Sequence, residues 1–398
     1  MIVSSVMTDR KIVTSRLFQT PELGTLELGV LDELAQLREN MRIYLHEPRR
    51  WHGPLRRQAF ARAVHGSNTI EGYSLNLDDA AAVALGEAPL DNDEETRLAY
   101  KGYCDAMTYV LQLADERDFD YSEQLVKSLH FMMTSYDLKK RPGRWRAGTI
   151  YVQKSDTGET VYEGAPIEDV PGLVTELVAR LNESDPDASP MVRAAMAHLN
   201  LVLIHPFVDG NGRMARCLQS LVLAREGILS PVFVNIEEYL GRQTQDYYNV
   251  LAVVGQGHWQ PNRDARPWLH FALLAHLRQA RTWFRRIKES ERLWGELETL
   301  MAERGLPDRS LVAMFDASMG FRVRNATYRA SFADTEDPIT DGTASRDLRQ
   351  LVDAGLLLKN GAKRGTFYTR GPELEALAKA IRDARDPRDE SDPFASAA

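Results

Sequence analysis

The residues best equipped for chemistry lie together at His205-Pro206-Phe207-Val208-Asp209-Gly210-Asn211-Gly212-Arg213-Met214-Ala215-Arg216. An apolar run, Ala194 to Ile204, leads into this turn, and a second helical pattern, Arg213 to Glu226, leads away. Glycine at 210 and 212 lets backbone N–H groups come close to an anion, and the N-terminus of the next helix adds unpaired donors and its positive dipole end. Arg213 and Arg216, three apart, project from one helical face towards the same place. Asp209 suits a hard cation, and His205 suits a proton acceptor near neutral pH. Asp-Gly-Asn-Gly alone is an ordinary tight turn. A calcium loop starting at Asp209 fails, because Arg213 takes its fifth position and Ser220 its twelfth. Zinc fails as well, with no His-Glu-x-x-His and no paired cysteines. Proton acceptor, cation ligand, anion loop and two arginines in one turn read as a nucleotide site.

Positioning such a turn calls for helices, and most of the chain has helical spacing. Helices are expected over Thr25–Arg42, Leu55–Thr69, Arg97–Asp115, Ser122–Thr134, Ile167–Asn182, Pro190–Ile204, Arg213–Glu226, Arg242–Gly255 and Pro267–Leu297. Gly72 ends the second of these, and Asn76 to Asp79 caps a short one after it. Between Arg141 and Pro166 the pattern changes. Thr149-Ile150-Tyr151-Val152, a Thr157-Gly158 turn and Val161-Tyr162 read as a β-hairpin in a helical setting.

Composition removes other classes. The chain has 398 residues, enough for two or three domains. Its 57 acidic against 49 basic residues give a formal charge of −8, which argues against a generally basic nucleic-acid or membrane binder. Two cysteines, Cys104 and Cys217, are too few for a disulfide framework, and Cys217 reads as a buried small hydrophobe. No apolar run reaches membrane-spanning length. The expectation is a cytoplasmic, multi-domain protein without a membrane partner.

The segment from His205 to Arg216 resembles the signature of the Fic family (filamentation induced by cyclic AMP), His-x-Phe-x-Asp/Glu-Gly-Asn-Gly-Arg-x-x-Arg, at every specified position. The resemblance implies an all-α Fic-type core, from about Arg97 to Arg285, with a β-hairpin flap over the site. It also implies a protein adenylyltransferase that moves AMP from ATP onto a Ser, Thr or Tyr hydroxyl of a target protein. By position, His205 would be the general base and Asp209 the Mg²⁺ ligand. Gly210, Asn211 and Gly212 would form the anion hole, with Arg213 and Arg216 on the β- and γ-phosphates. Tyr151, Val152, Val161 and Tyr162 look like the flap strands that dock the target. The family's usual Pro-Pro after the flap is here Glu163-Gly164-Ala165-Pro166, which puts target recognition in doubt.

Ser67-Asn68-Thr69-Ile70-Glu71-Gly72 resembles the family's inhibitory motif. The likeness implies that Glu71 pairs with Arg216 and blocks the γ-phosphate, with Ser67 and Gly72 completing the motif. Tyr247, Tyr248 and Asn249 resemble the helix beside the family's adenine pocket, and read equally well as core at helical spacing. Trp259 and Trp268 read as core.

From about Asp308 to Arg370 the pattern suggests a winged helix-turn-helix module of α+β type. Thr343 to Gly355 reads as a recognition-type helix and Lys359 to Gly365 as the wing. Between Thr343 and Arg370 six basic residues face two acidic ones. That local charge suits DNA; a protein-docking or homodimer role is the alternative. The expected division is 1–95 as an N-terminal helical region with the inhibitory helix, 96–288 as the catalytic core, 289–372 as the winged helix and 373–398 as a disordered tail. Two other readings stay open: an AMP-removing or bifunctional Fic enzyme, and a nucleotide-sensing DNA-binding regulator.

Overall fold

The computed structural model describes residues 15–46, 52–84, 86, 93–153, 157–183, 188–227, 235–333, 335 and 337–395. The first half runs α1 (Thr25–His46), α2 (His52–Ile70), α3 (Leu77–Ala84), α4 (Glu94–Leu113), α5 (Glu123–Thr134), β1 (Tyr151–Gln153), β2 (Thr160–Glu163), α6 (Val170–Asn182) and α7 (Pro190–Ile204). Next come α8 (Asn211–Arg225), α9 (Glu237–Arg242), α10 (Thr244–Gly255), β3 (Gly257–His258) and α11 (Arg266–Arg304). The chain then forms α12 (Leu311–Ser318), α13 (Asn325–Ala330), α14 (Asp341–Asp353), β4 (Leu357–Asn360), β5 (Phe367–Arg370) and α15 (Pro372–Asp383).

The antiparallel pair α7–α8 is the centre. Ala194 to Ile204 on α7 and Arg213 to Ala224 on α8 are buried on every side, as expected for helices covered all round. Helices α2, α4, α5, α6 and α11 pack around this pair. Trp268 of α11 is fully buried, and its indole N–H donates to Ala195 O at 2.8 Å. Helix α2 crosses α9 so closely that a Cβ on Gly66 would strike the Glu237 backbone, and one on Gly241 the Gly66 backbone. Two glycines thus set the depth of α2 in the core. The flap is a three-stranded sheet, order β1-β2-β3, with β1 antiparallel and β3 parallel to β2. Its edge strands are β1 and the two-residue β3.

Three expectations need correction. The helix expected over Arg242–Gly255 starts at Thr244, because Gln243, with φ −118° and ψ 40°, separates it from the short α9 that ends at Arg242. The expected boundary at 288/289 falls inside α11, a continuous 39-residue helix. The segment 373–398, expected to be disordered, is folded over its described part. Leu374 and Ile381 bury one face of α15, Arg385 pairs with Glu289 at 2.8 Å and Asp389 with Arg281 at 2.9 Å. Phe394, 6% exposed, stacks on His270 at 4.1 Å. The polar composition hid a few well-spaced apolar anchors and two ion pairs to α11, one of each polarity.

The tail thus contributes to the core. Phe394→Ala should lower unfolding stability by about 1.5–3 kcal/mol, the worth of a buried phenyl group, measured by urea titration. No change would mean that the tail is loosely attached.

Candidate phosphate site

The site is built at the turn between α7 and α8. His205 ends α7 in the left-handed region, φ 55°, and Gly210, φ 78°, precedes α8. A β-carbon at φ 55° is strained, and the surroundings hold it there. Arg146, 4% exposed, donates from Nε to His205 O at 2.8 Å and from Nη1 to Gly148 O at 2.7 Å. Its Nη2 reaches Ala165 O at the end of the flap. Asn211 holds the turn closed: its side chain accepts from Phe207 N and donates to Phe207 O, both at 2.9 Å. Phe207 is fully buried and stacks on His130 at 3.7 Å. His130 accepts from Gly143 N at Nδ1, so its Nε2 carries the proton and donates to Asp209 O at 3.0 Å. The amide groups of Asn211, Gly212 and Arg213 begin α8, where N–H groups have no partner within the helix. The first helical bond is Met214 N to Gly210 O.

His205 Nδ1 donates to Val202 O at 3.0 Å, which leaves Nε2 as the acceptor. Burial pushes the His205 imidazole down to about 4, so it is neutral at pH 7. Asp209 faces Lys140 Nζ at 3.2 Å and Arg213 Nη2 at 3.8 Å. Burial opposes its ionisation, yet Arg213 and Lys140 hold its carboxyl below the ordinary range. Among the described residues no three metal-ligating side chains converge. A cation here would rest on Asp209, water and phosphate oxygens, a donor set that suits Mg²⁺.

Arg213 and Arg216 are both within 1% of full burial. Arg216 donates from Nε to Ser67 Oγ at 2.8 Å and from Nη2 to Ser67 O at 3.0 Å and Glu71 Oε1 at 2.6 Å. Burial would depress its guanidinium, but Glu71 keeps it above its ordinary value. Glu71 sits just past α2, in a turn that Gly72 closes at φ 85°. It lies so near α8 that a Cβ on Gly212 would land on its Oε1. Three buried guanidinium nitrogens, Arg213 Nε, Arg213 Nη1 and Arg216 Nη1, have no hydrogen-bond partner. Unsatisfied donors on buried cations are costly, and an anion resting on the start of α8 would satisfy them.

The other sequence candidates divide. Tyr151 is exposed on the edge strand β1, and Val152 and Val161 are half-buried. Tyr162 instead points inwards and donates to Leu203 O at 2.8 Å, anchoring the flap. Tyr247 is buried, its hydroxyl within 2.9 Å of His198 Nε2, so it is a core residue. Tyr248 is 43% exposed and donates to Ile70 O at 2.9 Å, while Asn249 is exposed. Sequence reasoning missed His130, Arg146 and Lys140. Each is a lone residue far along the chain from the turn it supports.

Closely packed helices, a flap strand and a turn that aims helix N-terminal amides and two buried arginines beside a neutral histidine define a helical domain with a candidate phosphate site. Residues 120–223 match the model of the Fic/DOC family. Over 273 residues it is 25% identical to a protein adenylyltransferase Fic of Nematostella vectensis, covering 66% of this chain and 57% of the relative. Over 263 residues it is 27% identical to protein adenylyltransferase fic-1 of Caenorhabditis elegans, covering 63% and 46%. The chain thus spans about half the length of these relatives. A Fic family protein of Desulfovibrio desulfuricans superposes with TM-score 0.58 at 20% identity, over 89% of this chain and 99% of that one. Fic-1 of C. elegans superposes with TM-score 0.53 at 24% identity, over 66% and 73%. These structures share the fold.

Burial also sets an acid limit. His130 and His205 are pushed down to about 4 and His198 to about 3. The unfolded chain, titrating near 6.5, binds these protons first, so stability rises with pH through this window. Thermal unfolding midpoints should be level above pH 6.5 and fall steadily towards pH 4; a midpoint unchanged across that range would contradict neutral burial.

Proposed function

We propose that the chain is a protein adenylyltransferase that transfers AMP from ATP to a hydroxyl of a target protein and is held back by its own Glu71. The carrying observation is the set of buried, unsatisfied guanidinium donors on Arg213 and Arg216 beside a neutral His205. The triphosphate would rest on the amides of Gly210, Asn211 and Gly212 and on both arginines. When bound, Mg²⁺ supplies charge neutralisation on the α- and β-phosphates, with Asp209 as its protein ligand. The target hydroxyl oxygen forms a bond to the α-phosphorus, and the bond from that phosphorus to the bridging oxygen breaks. Pyrophosphate leaves, and the hydroxyl proton passes to His205 Nε2. Positioning and charge neutralisation provide most of the rate, as in other phosphoryl-type transfers.

The exposed β1 edge, with Tyr151 and Val152, fits an extended target segment paired through main-chain hydrogen bonds. The exposed face of Tyr248 is the side we assign to the adenine base. Glu71 inhibits by holding the Arg216 nitrogen that the γ-phosphate needs, and Ser67 and Gly72 set its position. We assign 15–95 to the brake region, the following helices to the catalytic core, and α12–α14 with β4–β5 to a winged-helix module. Arg346, Arg349, Lys359 and Lys363 of that module are exposed, while Asp347 is buried against Arg309. This surface is the one offered to DNA or a protein partner, a second copy included. Buried free cysteines at 104 and 217 agree with a cytoplasmic setting. Among the described residues no helix is long and apolar enough to cross a membrane.

Incubation with α-labelled ATP tests the assignment. Glu71→Gly should raise self-labelling, and His205→Ala placed in that variant should reduce it by about 10²–10⁴-fold, the range for a general base. Equal labelling in all three proteins would dismiss it. In the Glu71→Gly protein, labelling per bound ATP should hold from pH 7 to pH 5 and fall as pH approaches 4, where His205 takes up its proton.

A further inference from the structure

Both carboxylate oxygens of Asp209 are already engaged. Oδ1 accepts from Gly210 N at 2.7 Å, and Oδ2 faces Lys140 Nζ at 3.2 Å and Arg213 Nη2 at 3.8 Å. Lys140 ends a one-turn helix, Leu138–Lys140, which Asp137 caps by accepting from Lys139 N at 2.9 Å. Its side chain is only 13% exposed, so the ammonium depends on protein partners. It donates to Tyr73 Oη at 2.7 Å, Tyr136 Oη at 2.9 Å and Glu95 Oε1 at 3.2 Å. The Tyr136 and Tyr73 rings also lie 4.7 and 5.4 Å from the same nitrogen. An ammonium has three N–H donors, and the two tyrosines with Glu95 can take all three. Lys140 is thus anchored beside Asp209 without needing Asp209 to anchor it.

We propose that Lys140 is a fixed counter-cation that bars free divalent cations from Asp209, so that a cation is held there only together with the phosphates of a nucleotide. This role rests on the reading of Asp209 as the cation ligand. Around the turn, Lys140, Arg213 and Arg216 stand against Asp209, Glu71 and Glu95, so the charges balance before any ligand arrives. A bare divalent cation breaks that balance in a place where Arg213 and Arg216 are fully buried and poorly screened. It also has to approach Oδ2 within a few ångströms of an ammonium whose partners keep it from turning away. Glu95 offsets little of this repulsion, because its side chain is 59% exposed and solvent screens it. A cation that comes with a triphosphate brings more negative charge than its own positive charge, and the balance then tips towards binding. By linkage, the nucleotide raises the affinity of Asp209 for the cation and the cation raises that for the nucleotide, by the same factor. Departure of the phosphates restores the repulsion and clears Asp209.

The probe is Mn²⁺, whose electron paramagnetic resonance signal is lost on binding, titrated into the full chain without nucleotide. Lys140→Gln, which keeps a donor for the tyrosines and removes the charge, should bind Mn²⁺ about tenfold more tightly than the native chain. That is the scale of a water-screened repulsion between a single and a double charge a few ångströms apart. Lys140→Met should do the same, and Lys140→Arg, which keeps the charge, should stay at the native value. The gain should persist when Glu95→Gln is added and vanish when Asp209→Asn is added. Equal affinities for the native chain, Lys140→Gln and Lys140→Met overturn the role of Lys140. A gain that disappears with Glu95→Gln overturns it too, since the ion then sits in the place the ammonium left. ATP titrated in the presence of Mn²⁺ tells this failure from that of the cation site itself. Weaker binding by Asp209→Asn there keeps Asp209 as the ligand and removes only the role of Lys140; unchanged binding removes both.

Discussion

A guanidinium as deeply buried as that of Arg216 must have a counter-charge. Removing one partner of a buried ion pair costs about 3–5 kcal/mol, because the remaining charge has lost its solvent. In this structure the counter-charge is Glu71, at 2.6 Å. In the proposed function a phosphate oxygen takes that place, and carboxylate and phosphate cannot hold the same nitrogen together. Much of the N-terminal architecture serves this one contact. Gly66 and Gly241 let α2 sink against α9, Ser67 gives Arg216 two further acceptors, and Gly212 leaves room for the carboxylate. A methyl group at any of these three glycines would push Glu71 and Arg216 apart.

The histidine turn obeys the opposite constraint. His205 must stay neutral and keep one nitrogen open. Burial removes its charge, and the carbonyl of Val202 fixes the tautomer. Its left-handed backbone persists because Arg146 ties the His205 carbonyl to the flap, and because His130 braces the Asp209 carbonyl from below. One side of the cradle is therefore a matched pair of buried charges, and the other an uncharged base held through backbone carbonyls. Lys140 joins the two halves by resting on the Asp209 carboxylate at 3.2 Å while donating to Tyr73 and Tyr136.

The turn from His205 to Arg216 was legible because its donors, acceptors and glycines are consecutive, and spacing alone places them on one loop and one helix face. Glu71 was legible only beside that turn, since a glutamate before a helix-ending glycine is commonplace. His130, Arg146 and Lys140 were not legible. Each acts through a single long-range hydrogen bond set, and nothing local marks such a residue. The tyrosines show the same limit differently: Tyr162 and Tyr247 have the same local pattern as Tyr151 and Tyr248, and only packing decided which pair turned inwards. The tail failed for a compositional reason. Its Asp-Pro repeats suggested solvation, whereas Asp389 pairs with Arg281 and Arg385 with Glu289, both far back in the chain on α11.

In the proposed function, how the brake yields depends on whether the end of α2 moves with the helix or by itself. Glu71 lies beyond the last helical residue, so a change in the Gly72 turn alone could swing its carboxylate away. Two contacts oppose so local a change. Arg216 grips Ser67 by both its hydroxyl and its carbonyl, one turn inside the helix. Tyr248 donates to the carbonyl of Ile70, the last helical residue. With both ends of that final turn pinned, freeing Arg216 completely means releasing Ser67 as well as Glu71, and Ser67 cannot move without its helix. The close Gly66–Gly241 contact then makes the displacement a sliding of α2 on α9. That motion carries Arg57 and Phe60 with it, so the start of α2 and the Glu71–Arg216 pair are two ends of one rigid element.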